Sequence, residues 1–202
     1  MTLDQLRPTA NRLLEPFVDL TERLGLSPNG ISVVALFVAV AAGGAFYFGG
    51  EMPTAYLAGA ALVFVNGWLD LLDGALARRL DEDSDAGDLL DHVVDRYADI
   101  VIVAGLAAGI ERYALGLAAV TGVLMTSYLG TQAQAVGLDR VYGGVLGRAD
   151  RLVLIAAVAI AAAFVDLSVQ GLSLVGWLLV LFAVVGHLTT LQRFYSAWRA
   201  LE

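Results

Sequence analysis

The sequence predicts an all-α membrane protein: six transmembrane helices preceded by an amphipathic interfacial helix. Three observations carry this. The 202 residues are 58% hydrophobic, with a mean hydropathy of +0.74, well above that of a soluble domain. The apolar residues gather into runs of about 20, the length that crosses a bilayer core. All 12 basic residues are arginine, and they fall almost entirely on one side of the membrane that those runs define. Such a chain makes one transmembrane domain over 1–202.

The elements follow in order. Over about 2–24, Leu3, Leu6, Ala10, Leu13, Leu14, Phe17, Leu20 and Leu24 recur at three- and four-residue steps, which gives a helix one apolar face. Arg7, Arg12 and Arg23 ride on its polar part, as in a helix lying in the membrane interface. The run Gly25 to Ser32 punctuates the chain, and Pro28 suits the first turn of a new helix. Spans follow at about 31–48 and 54–78, parted by Gly49-Gly50-Glu51-Met52-Pro53. An acidic loop at 81–86 leads to a third span at about 87–109. A fourth runs over about 114–136, with Thr126, Ser127, Tyr128, Thr131, Gln132 and Gln134 lining its second half. A glycine-rich loop then precedes spans at about 151–166 and 172–192, and Tyr195 and Trp198 suit an interfacial belt.

With the N-terminus inside, only Arg112 falls on the outer side. This positive-inside bias places the protein in the cell membrane as a multi-pass chain, with the ends of spans two and three facing the cytoplasm. The polar, acidic N-terminus does not read as a cleavable signal peptide. There is no cysteine, which excludes disulfide, iron–sulfur and thiolate chemistry. A net charge of −8 excludes nucleic acid as a natural partner. Half of the 20 acidic residues lie between Asp70 and Asp99, and acidic, lysine-free loops suggest a salt-loving host.

Four of those acids are the unusual feature. Asp70 and Asp73 are spaced i, i+3, and Asp91 and Asp95 i, i+4, so each pair shares a helix face. An ionised aspartate at bilayer depth costs about 2.5–3.5 kcal/mol, and few cations stand nearby in the sequence, among them Arg78 and Arg96. Hard divalent cations answer this need: Mg²⁺ takes one or two carboxylates plus substrate phosphates. Two such ions about 3.5–4 Å apart clamp the attacking and leaving oxygens of a phosphoryl displacement. Gly74 and Gly87 leave room for close approach, and Arg78 presents a planar fork to a phosphate. A carboxylate at the rim can take the proton of an attacking hydroxyl. His92 follows Asp91 directly and so points off the Asp91/Asp95 face. Asp99 continues the four-residue ladder and reads as structural, paired with Arg96 or an arginine elsewhere. Intramembrane carboxylates by themselves also allow a divalent-cation transporter lined by the aspartate quartet.

The spacing D-x2-D-G-x2-A-R-x8-G-x3-D-x3-D, filled by Asp70, Asp73, Gly74, Ala77, Arg78, Gly87, Asp91 and Asp95, resembles the signature of the CDP-alcohol phosphotransferases (CDP-alcohol phosphatidyltransferases). The match covers 26 of 202 residues, and every fixed position is present. The resemblance implies a membrane enzyme of phospholipid synthesis in which an alcohol attacks the β-phosphorus of a CDP-lipid and CMP leaves. It implies Mg²⁺ or Mn²⁺ held by Asp70, Asp73, Asp91 and Asp95, with Asp95 also the general base. It implies CDP contacts at Gly74, Ala77, Arg78 and Gly87, with Asn29 of the Pro28-Asn29 and Ser32 pattern near the nucleotide, and a homodimer.

For the acceptor, Arg140, Arg148 and Arg151 form a basic cluster suited to a phosphate. Ser127-Tyr128 and the run to Gly137 resemble the inositol-phosphate-accepting branch, although Gln132 and Gln134 stand where that branch has arginine and glutamate. Glycerol phosphate needs the same anion cluster. In an archaeal host the donor is CDP-archaeol.

Overall fold

The computed structural model describes residues 7–82, 84–139 and 146–202. Seven helices account for nearly all of them: α1 (Arg7–Arg23), α2 (Pro28–Gly49), α3 (Pro53–Leu80), α4 (Asp85–Gly109), α5 (Tyr113–Ala135), α6 (Arg148–Phe164) and α7 (Leu174–Leu201). Residues 2–6 of the expected interfacial helix, and Arg140, lie outside the described residues.

Local chemistry sets the boundaries. Ser27 caps α2 by accepting from the Gly30 N–H at 3.2 Å, and Pro28 occupies the first turn, where its missing N–H costs nothing. Pro53 opens α3 in the same way. Asp81 ends α3 in the left-handed conformation, its N–H donating to the Ala77 carbonyl. Ser84 caps α4 through the Gly87 N–H at 3.1 Å, and Asp85 and Asp88 in the first turn complement the helix dipole.

Helix α2 packs on α3 and α4, α6 packs on α3, and α5 packs on α7 and α4. The main core runs through Phe46, Val63, Ile102, Leu106, Leu179 and Phe182, all fully buried. A smaller cluster holds α1 down: Leu14 and Val18 pack against Ile31, Leu72 and Leu76.

Glycine lets the helices approach. A Cβ on Gly105 would run into the backbone of Gly43, where α4 crosses α2, and Gly122 and Gly186 bring α5 and α7 equally close. Contacts of this kind hold helices together in lipid, where no hydrophobic drive separates them from the tails. Gly105→Ala is therefore expected to destabilise by on the order of 3 kcal/mol, since the added methyl meets backbone that cannot yield. Gly44→Ala, facing open space, is the control. Thermal melting in detergent is expected to drop by several degrees for the first variant only; equal melting would show that the crossing is looser than drawn.

Four helices, α2, α3, α5 and α7, are long and apolar enough to cross a membrane. The sequence leads to six. The other two differ for visible reasons: α4 carries Asp95, Arg96 and Asp99 about its middle, and α6 has only 17 residues. Two further differences are local. The link expected between the last two spans holds a β-hairpin, β1 (Ser168–Val169) paired antiparallel with β2 (Leu172–Ser173). Its turn places Gln170 at φ 53° and Gly171 at φ 76°, the pair of positive angles a tight hairpin needs. Helix α7 also continues past 192 to Leu201, through the polar residues Gln192 and Arg193.

Candidate metal and nucleotide site

The two halves of the aspartate motif meet where α3 ends and α4 begins. Asp70 and Asp73 occupy the last three or so turns of α3, and Asp91 and Asp95 the first three or so of α4. Both helices pack on α2. Asp70, Asp91 and Asp95 each bring a carboxylate oxygen within 4.8 Å of the others.

Asp73 is placed differently. It is buried, and its Oδ2 accepts a hydrogen bond from Ser32 Oγ of α2 at 2.6 Å. Ser32 thus orients one motif carboxylate from a third helix. Asn66, one turn before Asp70, makes an interhelical contact instead, donating from Nδ2 to the Ala35 carbonyl at 2.8 Å. His92 Nδ1 lies 2.7 Å from the Asp88 carbonyl, turned away from the carboxylates.

A cation does reach the cluster, from far along the chain. Arg148 Nη1, at the start of α6, sits 2.6 Å from Asp70 Oδ1 and 2.8 Å from Asp95 Oδ1. One guanidinium nitrogen thus bridges both halves of the motif. Behind it, Asp99 is buried and pairs with Arg151, Nη2 to Oδ2 at 2.8 Å. Arg148 Nε and Arg96 Nη1 each lie 3.9 Å from that same carboxylate. Asp150 holds the first turn of α6 by accepting from the Gly147 N–H at 2.9 Å, which fixes where Arg148 and Arg151 leave the backbone.

The residues expected around the nucleotide lie beside the carboxylates. Arg78 is exposed and has no ion pair among the described residues. Its Nη1 lies 3.3 Å from where a Cβ on Gly74 would stand, so the missing side chain leaves room for the guanidinium. A Cβ on Gly87 would stand 3.3 Å from Ser84 Oγ and 3.6 Å from Asn29 Oδ1, which brings the starts of α2 and α4 together. Ala77 lies one residue before Arg78 and is partly buried.

The donor set fits a hard dication. It is made of carboxylate oxygens alone, as Mg²⁺ or Mn²⁺ prefer, with no soft ligand. Asp95 Oδ1 is buried and, despite its proximity to Arg148, has no aligned hydrogen bond. Asp70, Asp91 and Asp95 are the residues that would hold an ion, and Asp73 stands close by on α3.

A family model for CDP-alcohol phosphatidyltransferase matches residues 26–188. The chain belongs to that family. Among relatives of this CDP-alcohol phosphatidyltransferase family, the archaetidylinositol phosphate synthase of Methanothermobacter thermautotrophicus is 32% identical over 99% of this chain and 96% of its own. That of Pyrococcus horikoshii is 31% identical over 99% and 98%. The crystal structure of Mycobacterium tuberculosis phosphatidylinositol phosphate synthase with CDP-DAG bound superposes with a TM-score of 0.80 at 26% identity, covering 93% of this chain and 94% of that one. The same enzyme in complex with manganese and citrate gives 0.79, covering 92% and 88%. The protein is thus a multi-pass membrane transferase of the phospholipid-forming class, and its carboxylate cluster could hold a divalent metal ion.

The role of Arg148 among the carboxylates has no local signal in the sequence. A Gly-Arg at a helix start looks like any interfacial cation, and only the packing of α6 on α3 carries it inward.

Proposed function

We propose that this protein transfers a phosphatidyl or archaetidyl group from a CDP-lipid to a phosphorylated polyol, with inositol phosphate the first candidate, and releases CMP. The observation that carries the reading is the convergence of Asp70, Asp91 and Asp95 on one point from two helices. In support, two relatives that share nearly the whole chain are archaetidylinositol phosphate synthases, and one solved relative holds CDP-DAG. Glycerol phosphate stays in contention because Gln132 and Gln134 replace the charged pair of the inositol branch. A cation-conducting role is disfavoured by Arg148, whose guanidinium lies across the carboxylates a cation would follow.

In this reading Mg²⁺ or Mn²⁺, as two ions, neutralises the carboxylates and the pyrophosphate of the donor. Asp70, Asp73, Asp91 and Asp95 are the ligands. Asn29, Gly74, Ala77, Arg78 and Gly87 surround the CDP moiety. Asp95 takes the proton of the attacking hydroxyl as its oxygen bonds to the β-phosphorus and the bond to the CMP oxygen breaks. Arg148 and Arg151, with Arg140, receive the acceptor phosphate, since guanidinium forks match its oxygens.

The finer topology belongs to the same proposal. All six helices after α1 span the membrane, with the site at the cytoplasmic face. Helix α1 lies in the interface: Leu14 and Val18 face the protein, whereas Leu13, Phe17, Leu20 and Leu24 remain exposed for lipid. Arg79 ties it down through Glu22 at 2.9 Å and through Asp19. The working unit is a homodimer in an archaeal membrane.

Purified protein with Mg²⁺ or Mn²⁺ and CDP-lipid is expected to release CMP only when the right alcohol is added. The panel is inositol phosphate, glycerol 3-phosphate, its enantiomer and serine. Inositol phosphate is expected to give the highest kcat/KM. Silence across the whole panel would overturn the assignment.

A further inference from the structure

The family motif ends at Asp95, yet one helical turn deeper Asp99 is among the most enclosed charged groups in the described chain, with 5% of its surface exposed. Three arginines surround it. Arg151 donates to its Oδ2 at 2.8 Å, Arg148 Nε lies 3.9 Å from Oδ1, and Arg96 Nη1 lies 3.9 Å from Oδ2. Two of the three are shared with the motif, since Arg148 also pairs with Asp70 and Asp95 and Arg96 lies 3.4 Å from Asp95, whereas Arg151 pairs with Asp99. Arg151 is itself 6% exposed, and the Nε atoms of Arg148 and Arg151 are buried donors without a hydrogen-bond partner. Buried donors left unpaired are costly. Here they stand beside the reacting carboxylates, ready for an anion.

A long arginine side chain is mobile unless something fixes its fork. For Arg151 that anchor is Asp99. For Arg148, Asp99 supplies a pull on Nε opposite to the pull of Asp70 and Asp95 on Nη1. The anchor stands on α4, the helix that also supplies Asp91 and Asp95, so the arginines of α6 are referenced to the same rigid element as the metal ligands.

We propose that Asp99 is the positioning residue of the acceptor half-site, fixing the Arg151 guanidinium and steadying that of Arg148 so that the acceptor phosphate meets a preoriented cationic pair. The proposal rests on the reading that these arginines receive the acceptor phosphate. It deepens that reading by naming what holds them.

The test is a split in Michaelis constants. Asp99→Asn keeps the side-chain shape and loses the charge. It is expected to raise acceptor KM roughly tenfold, with donor KM and kcat within about twofold of the parent, a split that a general loss of structure does not produce. Melting in detergent monitors folding. If Asp99→Asn does not fold, Asp99→Glu, which keeps the charge but displaces it by a methylene, replaces it with the same expected split. An unchanged acceptor KM, or equal rises for acceptor and donor, overturns the positioning role. Added to Arg151→Ala, Asp99→Asn is expected to raise acceptor KM by less than it does in the parent, because most of its effect passes through that arginine and only the remainder through Arg148; fully additive rises overturn this too. Arg151→Ala alone separates the two levels. If it leaves acceptor KM unchanged, the assignment of the arginines to the acceptor falls, and the role of Asp99 with it. If it raises acceptor KM and the Asp99 variants do not, only the role of Asp99 falls.

Discussion

Asp95→Asn is expected to lower turnover by roughly 10³-fold or more while CDP-lipid still binds. A positioned general base contributes about 10²–10⁴-fold, and this residue is also placed to share a metal. Asp70 and Asp91 reach the same point, but each is committed to the cluster, and Asp73 is turned to Ser32 at 2.6 Å. Asp70 and Asp95 both meet Arg148, at 2.6 and 2.8 Å, but Asp95 is the more enclosed of the two and lies one helical turn from Asp99, the partner of Arg151. Asparagine keeps the shape but takes no proton at neutral pH. The measurement is single-turnover CMP release beside equilibrium binding of the CDP-lipid. Normal turnover in the variant would remove Asp95 as the base. Lost binding without a change in the chemical step would make it a ligand only.

How much of this was legible in the sequence depends on the range of the interaction. Two helix starts were legible because punctuation is local: Pro28 and Pro53 sit where α2 and α3 begin, whereas Ser84, the cap of α4, fell inside the expected acidic loop. The pairing within the motif was legible because i, i+3 and i, i+4 spacing follows from helical geometry alone. What stayed hidden lies between helices. Ser32 and Asp73 are 41 residues apart, and Asp99 and Arg151 are 52 apart, yet each pair is in contact. The sequence narrowed Asp99 to a structural partner of some arginine but had no means to choose Arg151. For Arg148 the sequence pointed to a ligand phosphate but gave no sign of its contact with two motif aspartates. The hairpin before α7 was missed because Gln170 is an uncommon residue for positive φ. The end of α7 was placed early because Gln192 and Arg193 look like the close of a span, though a helix leaving the bilayer can carry such residues onward.

The seat of Arg148 leads to the second large effect, in which two constants move in opposite directions. Its guanidinium occupies oxygens of Asp70 and Asp95 that a dication also requires, so arginine and metal contest them. Without the arginine, like charges face one another with only Arg96 left beside Asp95, at 3.4 Å. Two unit charges about 4 Å apart repel by about 1 kcal/mol in water and about 4 kcal/mol at an effective dielectric near 20. A dication relieves that repulsion and no longer has to displace a bound cation. Arg148→Ala is therefore expected to bind Mn²⁺ more tightly, roughly tenfold by titration calorimetry without substrate. The same change removes a fork for the acceptor phosphate, so acceptor KM is expected to rise by roughly tenfold or more. A purely structural arginine would weaken both. If metal affinity falls together with acceptor affinity, Arg148 supports the carboxylate cluster rather than competing for it. If the metal binds more tightly while acceptor KM stays put, the guanidinium is only a counter-ion. The opposed pair of shifts is what a side chain shared between a metal seat and an acceptor pocket must produce, since release from one is the condition for service in the other.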